Sequence, residues 1–138
     1  MWRIELMTWE KARALAAPIR LVVFVQEQGV PPELEMDEMD ARCLHALAFD
    51  GERAIATGRL LPDGHIGRMA VLQEFRGKGA GGAVLTKLIE AARSRGDHDV
   101  VLSAQVHALP FYAAYGFTPF GEPYEEAGIP HRDMRRAL

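Results

Sequence analysis

A mixed α/β domain, with an antiparallel front half and a central strand–helix–strand crossover, is the fold class this sequence predicts. Three observations carry the expectation. Short apolar runs separated by turn signals fill the first half. A glycine-rich stretch, Gly77 to Gly82, then opens an amphipathic helix, and a short, continuously apolar run follows that helix. With 138 residues, 49% hydrophobic and 25% charged, the chain has enough apolar surface for one core without metals or disulfides. One domain spanning residues 1–138 is therefore expected.

Trp2 to Met7 reads as an opening strand. From Thr8, a good N-cap, Ala12, Leu15, Ala16, Ile19, Val22 and Val23 recur at helical spacing. Pro18 interrupts the pattern and predicts a kink or a second helix. Gln26 to Asp40 reads as an acidic loop. Leu44–Phe49, Arg53–Leu61 and His65–Leu72 form an antiparallel meander, with Asp50-Gly51 and Pro62-Asp63-Gly64 as its turns. A helix is predicted over Ala83–Arg95 and ends at Gly96. Val100–Ala104 is apolar throughout, as a strand covered on both faces would be, and its pairing with His65–Leu72 is parallel. A short helix, Leu109–Tyr115, and two closing strands around Gly121–Pro130 complete the chain.

Several partners are excluded at this level. Lys and Arg number 16 against 19 Asp and Glu, a net charge of -3, so no surface is built to neutralise a nucleic-acid backbone. The strongest apolar run, Leu21 to Val25, is too short to cross a bilayer, and Arg3 and Glu5 interrupt any secretory leader. No membrane partner is expected. The lone Cys43 suits a reducing, cytoplasmic setting. A homodimer is compatible with a domain this small.

The segment Val71-Leu72-Gln73-Glu74-Phe75-Arg76-Gly77-Lys78-Gly79-Ala80-Gly81-Gly82 is the most informative. Its glycines permit turns that a Cβ blocks and let a ligand approach the backbone. The following helix offers unpaired N–H groups with no acid in its first turn, and Arg76 and Lys78 add positive charge. The combination suits a phosphate or diphosphate. A nucleotide P-loop is ruled out because Gly79 follows Lys78 where Ser or Thr is required. The dinucleotide pattern Gly77-x-Gly79-x-x-Gly82 matches only literally: an antiparallel meander precedes it, and no ribose-binding acid ends the next strand. Glycines placed for packing alone are the remaining alternative.

Arg76-x-x-Gly79-x-Gly81, between a strand and a helix, resembles the acetyl-coenzyme A (acetyl-CoA) motif of the GNAT N-acetyltransferases. Downstream, Gln105 and Ala108-Leu109-Pro110-Phe111-Tyr112-Ala113-Ala114-Tyr115-Gly116-Phe117 resemble that family's second cofactor motif. The flanks are similar to the ElaA-like bacterial branch. They comprise Arg20-x-x-Val23-Phe24-Val25-x-Glu27-Gln28, Glu35-x-Asp37-x-x-Asp40 with His45, Gly67-Arg68-Met69-Ala70-Val71, and Gly128-Ile129-Pro130-His131.

The resemblance implies the GNAT acyl-CoA N-acyltransferase fold, in which two parallel central strands splay apart, and acetyl transfer from acetyl-CoA to a primary amine by direct attack. The acceptor would be a small-molecule or peptide amine. It implies cofactor contacts from Met69, Ala70 and Val71, from Arg76, Gly77, Lys78, Gly79, Ala80, Gly81 and Gly82, and from Gln105. It places Tyr112 where a departing thiolate is protonated, and assigns Tyr115 to packing. An amine is protonated at neutral pH, so a base is required. The candidates are Glu27, Glu35, Asp37, Asp40, His45 and His131, with His131 and Glu35 put forward. A charge run can equally be a solvated face, and a strand histidine such as His45 is more often structural. No compact metal-ligand motif is present, so no metal is expected. The alternatives are a non-catalytic module that senses acyl-CoA and, on the glycine pattern alone, a nicotinamide-dependent oxidoreductase.

Overall fold

A computed structural model describes residues 2–138. Seven strands form one sheet in the order β1-β2-β3-β4-β5-β7-β6. β1 (Arg3–Thr8), β2 (Leu44–Asp50), β3 (Arg53–Leu60) and β4 (His65–Val71) are antiparallel neighbours; β5 (Asp99–Gln105) is parallel to β4; β6 (Thr118–Glu126) and β7 (Ile129–Ala137) close the far side. The antiparallel front and parallel centre agree with the predicted fold class.

The period-two alternation of β2 distributes its side chains to two helices. Leu47 and Phe49 pack with Ala12 and Ala16 of α1 (Trp9–Arg20). Ala46 and Ala48 share the main core with Val84, Leu85 and Leu88 of α3 (Ala80–Ser94). Both faces of β2 and β3 are covered as a result. β5 is not: its buried positions alternate, and Ser103 is exposed. Its short apolar run therefore marks only one covered face, because α1 does not extend over this half of the sheet.

Pro18 does not break the first helix. It lies inside α1, which continues into a wider π-helical segment over Leu21–Glu27. Such segments are uncommon and frequently occur at functional sites. α3 starts at Ala80, three positions before the predicted start, so Gly81 and Gly82 belong to its first turn. The closing hairpin turns at Ala127-Gly128, where both residues have positive φ (53° and 76°), as a two-residue hairpin turn demands.

The acidic stretch is a correction of a different kind. Beyond the end of the π-helical segment it folds as α2 (Pro32–Glu35) and a 3-10 turn (Glu38–Arg42), and four of its acids, Glu27, Glu35, Asp37 and Asp40, are counter-ions of arginines. Arg20, 1% exposed, donates from Nε to Glu35 Oε1 at 2.5 Å and from Nη1 to Asp40 Oδ1 at 2.8 Å. Arg59 donates to Asp37 at 2.7 Å and to Asp40 at 2.8 Å. Arg68 reaches the Glu35 carbonyl at 3.0 Å and Asp37 at 3.3 Å. The cluster clamps the π-helical segment and α2 onto β3 and β4.

The Arg59 hydrogen bond holds the Asp37 carboxyl down at about 2. Burial alone would raise the Asp40 carboxyl, but the hydrogen bonds and charges of Arg20 and Arg59 outweigh it and lower its pKa. His45 is buried against Trp9, with ring centroids 4.7 Å apart, and its Nε2 donates to the Asp40 carbonyl at 2.8 Å. Burial lowers its pKa below the ordinary 6.5. It is a structural histidine, and neither it nor these acids stand free to act as a base.

These shifts set an expected acid response. A folded-state pKa below the unfolded value means that the unfolded chain binds the proton more tightly, so protonation destabilises the fold. His45 contributes stability above pH 6.5 that is lost as the pH falls below it. Asp37 and Asp40 contribute stability above 3.8 that is lost as the pH falls below it, for Asp37 down to about 2. Melting temperature should decline gently below pH 6.5 and steeply below pH 4, and His45→Gln should remove the first decline alone. Calorimetric scans from pH 8 to pH 3 measure both.

Candidate active site

Among the described residues β4 and β5 pair only at His65↔Val101 and Ile66↔Leu102, and from Gly67 onward β4 has no strand partner on that side. The cause lies in β4 itself. Arg68 has a positive φ of 50°, and Arg68 and Met69 together oppose the single residue Gly58 of β3. A bulge of this kind bends a strand. A Cβ on Gly58 would stand 2.5 Å from Met69 Sδ, so glycine there makes room for the bulged side chain. Met69 thus points into the core, and what the strand offers to the opening is its backbone at Met69, Ala70 and Val71.

The loop between β4 and α3 sits at the end of that opening. Gly77 and Gly79 have φ of 75° and 85° with open space beside each, so glycine is required there by the backbone and not by packing. The first backbone hydrogen bond of α3 runs from Ala83 N–H to the Gly79 carbonyl at 3.1 Å. Among the described residues, no amide from Gly77 to Gly82 has a backbone acceptor. Trp2 Nε1 donates to the Lys78 carbonyl at 2.9 Å and steadies the loop.

Not every glycine serves this cradle. A Cβ on Gly82 would overlap the Tyr115 hydroxyl, so Gly82 admits Tyr115 against the first turn of α3. Packing was the role expected of Tyr115. A Cβ on Gly81 would meet Val71 and Phe111 at ordinary contact distances of 3.4 and 3.6 Å.

Arg76 does not stand free at the rim. Its Nε donates to the Val71 carbonyl at 2.9 Å, and its Nη2 pairs with Glu27 at 2.9–3.0 Å. Lys78 lies over the Phe75 ring, 5.9 Å from its centroid. On the opposite wall, Gln105 ends β5. Its Nε2 donates to Gln28 Oε1 at 2.9 Å, and its Oε1 meets His107 Nε2 at 2.7 Å.

His131 is paired across the sheet with Gln105 on one side and Tyr124 on the other, so it lies one strand beyond the β5 edge of the opening. Its Nδ1 lies 2.7 Å from the Ile129 carbonyl. A carbonyl only accepts, so Nδ1 carries the hydrogen and Nε2 of the neutral ring keeps its lone pair. Tyr124 stacks on the ring and bonds to Ser103 and Asp133. Glu35 is not a base here: it is 4% exposed and its carboxylate is bound by Arg20.

Tyr112 lies in α4 (Leu109–Ala113), edge-on to Phe117 and packed on the main core. Its hydroxyl has no protein hydrogen-bond partner among the described residues, and burial pushes its pKa up to about 12. Sequence reasoning missed Arg59 and Tyr124, and it named Gln28 in the ElaA-like flank without its contact to Gln105. A legible signal existed for Arg59 alone: a cation flanked by Gly58 and Leu60 near the end of a largely apolar strand requires a counter-ion.

The model of the acetyltransferase (GNAT) domain matches residues 18–138, and the chain belongs to that family. It is 38% identical over 122 residues to the uncharacterized N-acetyltransferase YjcF of Bacillus subtilis, covering 86% of this chain and 87% of that protein. Its ElaA-like character is equally direct. Protein ElaA of Escherichia coli is 34% identical over 128 residues, covering 87% and 84%. The E. coli ElaA crystal structure superimposes with a TM-score of 0.87 over 99% of both chains, at 30% identity. An acyl-CoA N-acyltransferase from Pseudomonas aeruginosa gives 0.88 at 32% identity, covering 99% of this chain and all of that one. The protein is thus an acetyl-CoA-dependent acetyltransferase acting on an amine. The residues present suit that donor: free amides and a helix N-terminus for a diphosphate, and an unpaired strand edge for an amide-bearing arm. Among the described residues no helix is long and apolar enough to cross a membrane, and no cluster of His, Cys, Asp and Glu could hold a metal ion.

Proposed function

We propose that the chain acetylates a primary amine, carried by a small molecule or a peptide, by direct attack in a ternary complex, with His131 as the base. The observation that carries this reading is the run of unpaired amides from Gly77 to Gly82 beside the open edge of β4. In it the amides and Lys78 bind the diphosphate, the backbone of Met69, Ala70 and Val71 aligns the arm, and Gln105 borders it from β5. When bound, acetyl-CoA supplies the acetyl group as a thioester, the electrophile.

His131 Nε2 takes the proton that the acceptor nitrogen must lose, a role supported by the Ile129 carbonyl at Nδ1 and by the Glu126 carboxylate 3.7 Å from Nε2, which favours the ring once protonated. Tyr112 keeps its own proton and donates a hydrogen bond towards the departing sulfur. Cys43 has no part: it is buried, and burial raises its thiol pKa, so it is no nucleophile for an acyl-enzyme.

The test has two readings. CoA should bind in calorimetry, and acetyl-CoA with a panel of amines should release free thiol. His131→Ala should lower turnover by about 10²-fold or more, the range of general-base catalysis, with added imidazole restoring part of it. Full activity in His131→Ala would remove the base. No binding of CoA by a cooperatively folded sample would remove the cradle.

A further inference from the structure

We propose that the Glu27–Arg76 ion pair is a latch on the donor cradle: Glu27 competes with the donor's diphosphate for Arg76 and thereby sets how tightly the donor is held. The inference rests on the donor-binding reading of the Gly77–Gly82 loop. Arg76 immediately precedes that loop, and its Nε bond to the Val71 carbonyl fixes the guanidinium where β4 ends and the unpaired amides begin. Its remaining strong contact is Glu27, at 3.0 Å to Oε1 and 2.9 Å to Oε2. This cation at the edge of the cradle is already taken by a carboxylate.

Glu27 is held in that position from behind. It closes the π-helical segment, and the next residue, Gln28, accepts a hydrogen bond from Gln105 on the opposite wall. Adjacent residues therefore reach the two sides of the splay, Glu27 to the β4 side and Gln28 to the β5 side. The segment is a strap across the opening, and the ion pair is its fastening on the donor side. Both partners are open to solvent, with 42% of Arg76 and 29% of Glu27 exposed, so an arriving anion has access to the guanidinium. A diphosphate carries more negative charge than a carboxylate and is the better partner for a guanidinium. The donor wins Arg76, but only after displacing Glu27, and its net affinity is lower by the strength of the pair it breaks.

The magnitude follows from the exposure. A solvent-exposed ion pair contributes up to about 1 kcal/mol, so removing it should tighten the donor about two- to fivefold. Calorimetric titration of CoA, dephospho-CoA and pantetheine into the wild type, Glu27→Gln, Arg76→Ala and the double variant reads this directly, without catalysis. Glu27→Gln should bind CoA and dephospho-CoA, which both carry the diphosphate, two- to fivefold more tightly. It should bind pantetheine, which lacks the diphosphate, as the wild type does. In the Arg76→Ala background the gain should shrink to less than half, because only screened repulsion by Glu27 remains. Unchanged or weaker CoA binding by Glu27→Gln overturns the latch. So does an equal gain with pantetheine, or a gain undiminished without Arg76. Failure of the wild type to bind CoA is a separate result, which defeats the cradle instead.

Discussion

Asp40→Ala should remove about 3–5 kcal/mol of folding stability, the range found when one partner of a buried ion pair is deleted. Asp40 is 1% exposed and is the shared carboxylate of the cluster. Its Oδ1 accepts from both Arg20 and Arg59, and its Oδ2 accepts again from Arg20. Removal leaves two buried guanidinium groups with fewer counter-charges than they need. Among the described residues Arg59 Nε already has no hydrogen-bond partner, so the cluster is short of acceptors before any is removed. A domain of this kind has only about 5–15 kcal/mol in total. Urea unfolding of Asp40→Ala should accordingly show a midpoint far below that of the wild type. Glu38→Ala, which removes an exposed acid two residues away, should stay within about 0.5 kcal/mol. A loss below 1 kcal/mol for Asp40→Ala would mean that the arginines find other partners and that the cluster does not hold α2 and the π-helical segment in place.

The same residues explain which parts of the molecule were legible in the sequence. The short apolar runs of the meander, the turn dipeptides and the apolar stripe of α3 are local patterns, and each appeared where the pattern placed it. The glycine loop was legible for the same reason: the conformations of Gly77 and Gly79 are properties of the backbone at those positions. The start of α3 was misplaced because glycine is a poor helix former, whereas Gly82 lies within the first turn to accommodate Tyr115, a residue more than thirty positions away. The ion-pair cluster was invisible for a related reason. Glu35, Asp37 and Asp40 look like a solvated acidic run until Arg20, Arg59 and Arg68 are brought to them from a helix and two strands. Glu27 and Gln28 likewise show their use only when the ends of β4 and β5 are known to flank them.

Tyr112→Phe should lower the rate of the chemical step by about 10²-fold while leaving CoA affinity and stability near wild type. The expectation rests on the role proposed for the hydroxyl and on its acidity. Burial raises the Tyr112 pKa to about 12, while a thiol ordinarily titrates near about 8.5. Full proton transfer from the phenol to a thiolate would be uphill by more than about 4 kcal/mol, at 1.36 kcal/mol for each pKa unit. In the proposed role the phenol therefore keeps its proton and donates a hydrogen bond to charge that develops only as the carbon–sulfur bond breaks. Removing one such donor typically costs 10²–10³-fold in rate, about 3–4 kcal/mol. The ring, which packs on Phe117 and the main core, remains in the phenylalanine variant, and no protein hydrogen bond is lost. Single-turnover measurement at saturating acetyl-CoA separates the chemical step from product release, and calorimetry reads CoA affinity independently. If the single-turnover rate of Tyr112→Phe equals that of the wild type, the hydroxyl does not face the sulfur, and Tyr112 is a packing residue.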